Sequence, residues 1–354
     1  MGTCLNPDNS KFQESINSDI YVDKTGLITY TNSVMHTQQK CICVSRPRRF
    51  GKSMAANMLS AYYSRGCDSK ELFQNLEIAE DAQFETYLNQ YDVIFLNVQE
   101  FLSQSKNIDE MISLIRRSVL WDLLGEYPEF RYFDTSNLTR TMQDVYQQTK
   151  CPFVVIIDEW DCVFREYKTN RETQERYLDF LRDLLKDKGY IHLVYMTGIL
   201  PIKKYGTHSA LNMFDEFSMI EPGPLASYVG FTEIEVQKLC GQYDMEIEEV
   251  KNWYDGYSFD KALSVYSPRS VVSCMRLGKI GNYWNQTETF EALQVYIDMN
   301  FDGLKDDVLS MIAGNQVPVN IGSFTNDMTT FRSEDDVLTL LIHLGYLGYD
   351  SDNK

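Results

Sequence analysis

Two stretches of the chain carry residues whose types and spacing suit phosphate chemistry. The first is Arg46-Pro47-Arg48-Arg49-Phe50-Gly51-Lys52-Ser53-Met54, between the apolar run Cys41–Ser45 and a helical stretch, Met54–Tyr63. A phosphate-cradling loop needs G-x-x-x-x-G-K-[ST] between a strand and a helix. Gly51 lets backbone N–H groups approach phosphate oxygens, and the following helix N-terminus adds partial positive charge. Lys52 suits the β- and γ-phosphates of ATP, and Ser53 offers an oxygen to Mg²⁺. Arg46 stands where the pattern has its first glycine. Two readings of Arg46, Arg48 and Arg49 stay open: they grip phosphate or an acidic surface, or they form salt bridges that shape the loop.

The second stretch is Phe153-Val-Val-Ile-Ile-Asp-Glu-Trp-Asp161. Five apolar residues in succession describe a strand covered on both faces. Asp158 and Glu159 follow at its C-terminal end, where open α/β sheets bind ligands. Asp158 there is a candidate Mg²⁺ ligand, and Glu159 a candidate to polarise an attacking water. Asp161 reads as a helix cap. A third run, His192-Leu-Val-Tyr-Met-Thr197, ends in a hydroxyl. Thr197 is either a polar residue facing the γ-phosphate or an ordinary strand-end threonine.

These segments need a sheet to hold them. The apolar runs Cys41–Ser45, Val93–Val98, Phe153–Asp158, His192–Thr197 and Phe217–Ile220 alternate with stretches of helical period, which predicts an α/β unit around a mostly parallel sheet. The helical stretches include Asn107–Leu124 and Arg171–Lys188. The cluster Glu221-Pro-Gly-Pro224 marks a boundary. Thr232 and Glu235 then form a capping-box signature opening a helix over Glu233–Tyr243. From Ile297 the pattern reads as a helix, a strand-like VPVNIG, a helix over Asp335–Leu344 and a strand-like end.

Composition limits the function classes. The chain has 354 residues, 33 basic against 51 acidic, for a net charge of −18, which opposes a globally basic nucleic-acid binder. No run of ~18 apolar residues suggests a membrane span, and the N-terminus lacks the pattern of a secretory signal. A cytoplasmic setting is expected. Eight cysteines without a Cys-x-x-Cys pair read as reduced thiols, and four scattered histidines supply no zinc signature.

The chain resembles the predicted AAA-ATPase-like family. The resemblance rests on Tyr21-Val-Asp-Lys24, Arg46-Pro-Arg-Arg-Phe-Gly-Lys-Ser53, Ile157-Asp-Glu-Trp-Asp161, Met196-Thr-Gly-Ile199, Gly230-Phe-Thr232, Trp253-Tyr-Asp-Gly-Tyr257 and Val265-Tyr-Ser-Pro268. It implies a P-loop NTPase of the ASCE type with sheet order 5-1-4-3-2. Residues 1–224 are expected to form the ATPase domain, 225–295 a helical lid and 296–354 a small winged-helix-like module. Family members often continue into a PD-(D/E)XK nuclease-like domain; no Asp…(Glu/Asp)-x-Lys cluster in a separate α/β unit is read after residue 225, so nuclease activity is not carried over. The segment Trp253–Tyr257 is expected to be a packed turn. The implied activity is Mg²⁺-dependent ATP hydrolysis, with Lys52, Thr197 and Glu159 acting on phosphate and water. An arginine finger would come from the loop or from a partner, either a second copy or another protein. Two other classes stand beside it: a nucleotide-gated interaction switch with negligible turnover, and a nucleic-acid-acting module that the acidic charge disfavours.

Overall fold

The computed structural model describes residues 2–202, 211–259, 263–283, 303–324, 331 and 333–350. The chain divides into two compact units. The first holds the residues up to Val44, Lys52–Gly198 and a segment ending at Glu216; the second holds Ser45–Gly51, a segment starting at Ile199, and the residues from Phe217 onward.

In the first unit, helices α1 (Ser10–Ile16) and α2 (Gly26–Val34) precede β1 (Cys41–Ser45) and α3 (Lys52–Tyr63). Two single-turn helices, α4 (Lys70–Phe73) and α5 (Phe84–Tyr87), lead to β2 (Asp92–Asn97), α6 (Val98–Ser103), α7 (Ile108–Glu126) and α8 (Leu138–Thr149). Then come β3 (Phe153–Asp158), α9 (Cys162–Glu166), α10 (Arg171–Leu185), β4 (Ile191–Gly198) and β5 (Asp215–Phe217). The sheet order is β2-β3-β4-β1-β5, the expected 5-1-4-3-2. The chain is therefore an α/β P-loop NTPase fold. The pairs β2–β3 and β3–β4 are parallel.

The centre of the sheet is its driest part. Every residue of β3 is buried, as its unbroken apolar run requires. The predicted helical faces are the buried ones: Ile108, Met111, Ile112, Ile115, Val119 and Leu123 on α7, and Tyr177, Phe180, Leu181, Leu184 and Leu185 on α10. At the start of β2, Asp92 is fully buried. It accepts from Tyr127 Oη at 2.7 Å and Asn6 Nδ2 at 2.8 Å, and Arg65 Nε lies 3.2 Å away. Those donors compensate the cost of burying the carboxylate.

One strand differs from expectation. The run Phe217–Ile220 is not a strand; β5 ends at Phe217. The carbonyls of Phe217 and Ser218 accept hydrogen bonds from Arg46 Nη1. The backbone turns there instead: Ser218 N donates to Glu221 O, and the N–H groups of Ile220 and Glu221 donate to Ser218 Oγ, which takes these donors out of a ladder.

In the second unit a three-stranded sheet, order β6-β8-β7, joins β6 (Phe231–Thr232), β7 (Asp255–Phe259) and β8 (Leu263–Tyr266). Helices α11 (Glu233–Tyr243), α12 (Ile247–Tyr254) and α13 (Pro268–Leu277) surround it in sequence. Trp253–Tyr257 is therefore not a turn: it spans the end of α12 and the start of β7. Asp-Gly is a turn signal, but Gly256 falls at a register shift in the β7–β8 pair, a place where glycine is also favoured. Further along, helices cover Leu304–Ile312 and Glu334–Leu344. The strand-like VPVNIG is irregular backbone running into a 3-10 turn at Ile321–Ser323. Pro318 supplies no ladder donor, and Val317 and Val319 pack on a cluster of Leu200, Leu304, Val337, Leu338, Leu340 and Leu341. Among the described residues the strand-like end forms no named strand; Asp350 bridges to Ser258. The helix expected from Ile297 lies, over 297–302, outside the described residues.

The capping box at α11 is complete: Thr232 accepts from Glu235 N, and Glu235 Oε2 accepts from Thr232 N at 2.7 Å. Thr232→Ala removes half of it, and we expect a loss of about 1 kcal/mol in urea unfolding.

Candidate functional site

β1 leaves the sheet at Ser45 and the chain passes through Arg46–Gly51 into α3. Arg49 (φ +67°) and Gly51 (φ +92°) both take left-handed backbone. A side chain at Gly51 would meet no neighbour within 4 Å. The glycine is thus demanded by its backbone angle rather than by crowding. Arg48, Arg49, Ser53 and Met54 are exposed, while Pro47 and Phe50 are buried.

Arg46 is a structural residue. It is fully buried. Its Nη1 donates to the carbonyls of Ser45 (2.9 Å), Phe217 (3.0 Å) and Ser218 (2.8 Å). Of the two readings open for its side chain, these carbonyl contacts favour shaping of the loop. Burial, with a smaller push from the Arg46 charge, pulls His343 down to about 3, so that imidazole is neutral at physiological pH.

Lys52 opens α3 and is almost wholly buried. Burial pulls its ammonium below the usual lysine range. Glu159, Asp161 and Asp158 oppose that shift, and Arg165 adds to it. The lysine therefore sits in the field of three carboxylates at the end of β3, which is what favours its charged form in a covered position.

Asp158, the last residue of β3, is 1% exposed. Its Oδ1 accepts from Glu159 N at 3.0 Å and from Thr197 Oγ1. The register explains the second bond: Ile157 pairs with Met196, so the next residue on each strand, Asp158 and Thr197, sits side by side. Among the described residues nothing donates to Asp158 Oδ2. That oxygen and the Ser53 hydroxyl are both oxygen donors, the ligand chemistry Mg²⁺ takes while keeping several waters. The residues present therefore fit the cation. No group of three or more His, Cys, Asp and Glu suited to a metal occurs among the described residues.

Glu159 has φ +55°, an uncommon conformation for a residue with a side chain. It is held from both sides. Trp160, fully buried, donates its backbone N–H to Thr197 O at 3.0 Å. Gly198 packs so close to Trp160 that a Cβ there would lie 2.5 Å from the indole ring. Asp161 precedes α9 but makes no capping bond; it lies 3.2 Å from Arg165 Nε. Arg165 Nη2 also donates to Glu159 Oε2.

Thus Lys52, Asp158, Glu159 and Thr197 belong to one constellation, all within the first unit. The reading of the sequence missed Arg165, although its i,i+4 spacing from Asp161 was a visible signal for an ion pair. His36 and His192, read as isolated, have rings 4.3 Å apart, and burial pulls His192 down to about 4. All eight cysteines are unbridged, six of them buried.

A family model described as Predicted AAA-ATPase matches residues 9–207. That is more than half of the chain. The chain belongs to this AAA-ATPase-like family. An uncharacterized protein in the vnfD 5′ region of Azotobacter chroococcum mcd 1 is 21% identical over 280 residues, covering 76% of this chain. The chain spans about half (51%) of that relative's length. Among solved structures, the ORC1 protein of Aeropyrum pernix in complex with DNA aligns with TM-score 0.34 and 11% identity, over 78% of this chain and 60% of that one. The ORC2 protein of Aeropyrum pernix, in ADPNP–ADP complexes, gives 0.34 and 14% over 90% and 82%. PCH-2 of C. elegans gives 0.33 and 12% over 96% and 74%. Likenesses this loose carry no inference about ligands. No helix among the described residues is long and apolar enough to cross a membrane.

Arg46→Gly would restore the usual first glycine of the loop. Because it also strips the donor from three carbonyls, we expect a stability loss of at least about 3 kcal/mol, read from urea unfolding. Unfolding indistinguishable from the parent would show that the bonds to Arg46 contribute nothing.

Proposed function

We propose that the chain binds ATP with Mg²⁺ and hydrolyses it by in-line attack of water on the γ-phosphate. The observation that supports this most is Lys52, buried at the first turn of α3 in the field of Asp158, Glu159 and Asp161. Such a lysine is matched to a ligand that brings negative charge to the same turn. Backbone N–H groups after Arg46 and the N-terminus of α3 receive the β- and γ-phosphates, and Lys52 neutralises them. Ser53 and Asp158 Oδ2 hold Mg²⁺, which when bound supplies positive charge to the phosphate oxygens. Thr197 fixes Asp158 through Oδ1. Glu159 accepts a hydrogen bond from the attacking water and polarises it.

In this reading residues 225–295 respond to nucleotide and 296–354 form a small C-terminal module. The loop arginines Arg48 and Arg49, a second copy or another protein supplies any arginine finger, and the setting is cytoplasmic. Limited proteolysis between Glu221 and Tyr228 should slow when ATP and Mg²⁺ are added; equal rates would argue against coupling to that segment. The missing first glycine leaves one alternative, an ATP-gated interaction switch with negligible turnover, and steady-state phosphate release separates the two.

Lys52→Ala should abolish most ATP affinity in calorimetry while the circular dichroism spectrum is kept. Glu159→Gln should bind ATP like the parent and hydrolyse it at least about 10²-fold more slowly. Asp158→Asn should weaken both Mg²⁺-dependent binding and turnover. If Lys52→Ala binds ATP like the parent, the phosphate-loop assignment is wrong. If Glu159→Gln keeps the parent rate, another residue acts on the water.

A further inference from the structure

Arg165 lies on α9, four residues after Asp161 and six after Glu159. Its side chain is 17% exposed, that of Glu159 24%, and that of Asp161 is fully buried. Surface ion pairs are loose and screened by salt. This one is anchored: the guanidinium lies 3.2 Å from the buried Asp161 carboxylate through Nε and donates to Glu159 Oε2 through Nη2. Nε makes an ion pair with Asp161 rather than a hydrogen bond, and that pairing with a fully buried carboxylate keeps the guanidinium beside it while Nη2 donates to Glu159.

The backbone of Glu159 is already constrained. Its N–H is bonded to Asp158 Oδ1, its neighbour Trp160 is bonded to Thr197 O, and its φ is left-handed. The remaining freedom lies in the side-chain rotors that carry the carboxylate. Arg165 removes it through one oxygen only. Among the described residues, nothing donates to Glu159 Oε1.

We propose that Arg165 is a positioning residue for Glu159: it holds Oε2 so that Oε1 is the oxygen presented to the attacking water, and Asp161 holds Arg165 in turn. The proposal rests on the hydrolytic reading of Glu159 given above. A base aligned by a third group is a recurring arrangement, because a carboxylate free to rotate spends most of its time out of line with the proton it must accept. The order Asp161–Arg165–Glu159 places a permanent cation between two acids, so alignment does not depend on a titrating group.

The test is a kinetic cycle with an activity-free companion. Arg165→Gln should lower kcat about 10- to 100-fold, the range for partners that orient a working side chain. KM for ATP and the affinity for a non-hydrolysable ATP analogue should not change. Arg165→Lys, which keeps the charge and loses the fork, should recover part of the rate. In a Glu159→Gln background, Arg165→Gln should cost nothing more, since there is no base left to align. An unchanged or raised kcat, or a loss that multiplies with that of Glu159→Gln, overturns the proposal. Thermal unfolding of the same four proteins without nucleotide provides the companion: the double variant should lose less in Tm than the two single variants added together. Strictly additive losses would show that the pair carries no coupling and would also overturn it. A parent chain that binds ATP but releases no phosphate sinks the hydrolytic reading together with the catalytic half of this proposal. That result is distinct from a parent that turns over and an Arg165→Gln variant that turns over equally well.

Discussion

A carboxylate at the end of a completely buried strand sets the terms for everything around it. Asp158 cannot be covered without donors, and they come from one place: the Thr197 hydroxyl and the first N–H of the following turn. For Thr197 to arrive there, β4 must lie beside β3 in the observed register. For the turn to bend back to β4, Trp160 must bond to the Thr197 carbonyl, and residue 198 must lack a side chain. The left-handed backbone of Glu159 follows from the same bend. Strand order, glycine and backbone strain are thus consequences of one buried charge.

The charge distribution repeats this logic on a larger scale. The chain is strongly acidic, with a net charge of −18. Near β3 the acids do not repel one another unopposed, because Lys52 and Arg165 lie among them. Burial disfavours the charged form of Lys52; the carboxylates oppose that pull. The two cations differ in kind. Arginine keeps its proton and its geometry, whereas the lysine ammonium is a compact charge on a flexible stem that can change partners.

The core strands and the residues of the candidate site were legible in the sequence because their signals are local. An unbroken apolar run announces a central strand, and Gly51-Lys52-Ser53 between strand and helix announces its loop. Asp158 and Glu159 are readable as the residues that leave such a strand. What was not legible depends on distance or on competition between signals. No local rule says that Arg46 reaches the carbonyls of Phe217 and Ser218, some 170 positions away in sequence. Asp255-Gly256 serves a turn and an irregular strand equally well. Val317 and Val319 alternate as a strand would, yet they pack on a helical cluster as irregular backbone. Arg165 was the exception, since its spacing from Asp161 could have been read.

Trp160 has a consequence of a different sort. It is fully buried between Glu159 and Asp161, whereas Trp121 and Trp253 are largely open to solvent, and Trp284 lies outside the described residues. An indole shut away from water emits at shorter wavelength than one in contact with it, and dissolved quenchers such as iodide reach it poorly. The chain therefore carries an optical label wedged between the two acids that face Arg165. Among the three described tryptophans, the blue-emitting, quencher-resistant contribution is that of Trp160 and reports on the packing of that turn without any dye being attached.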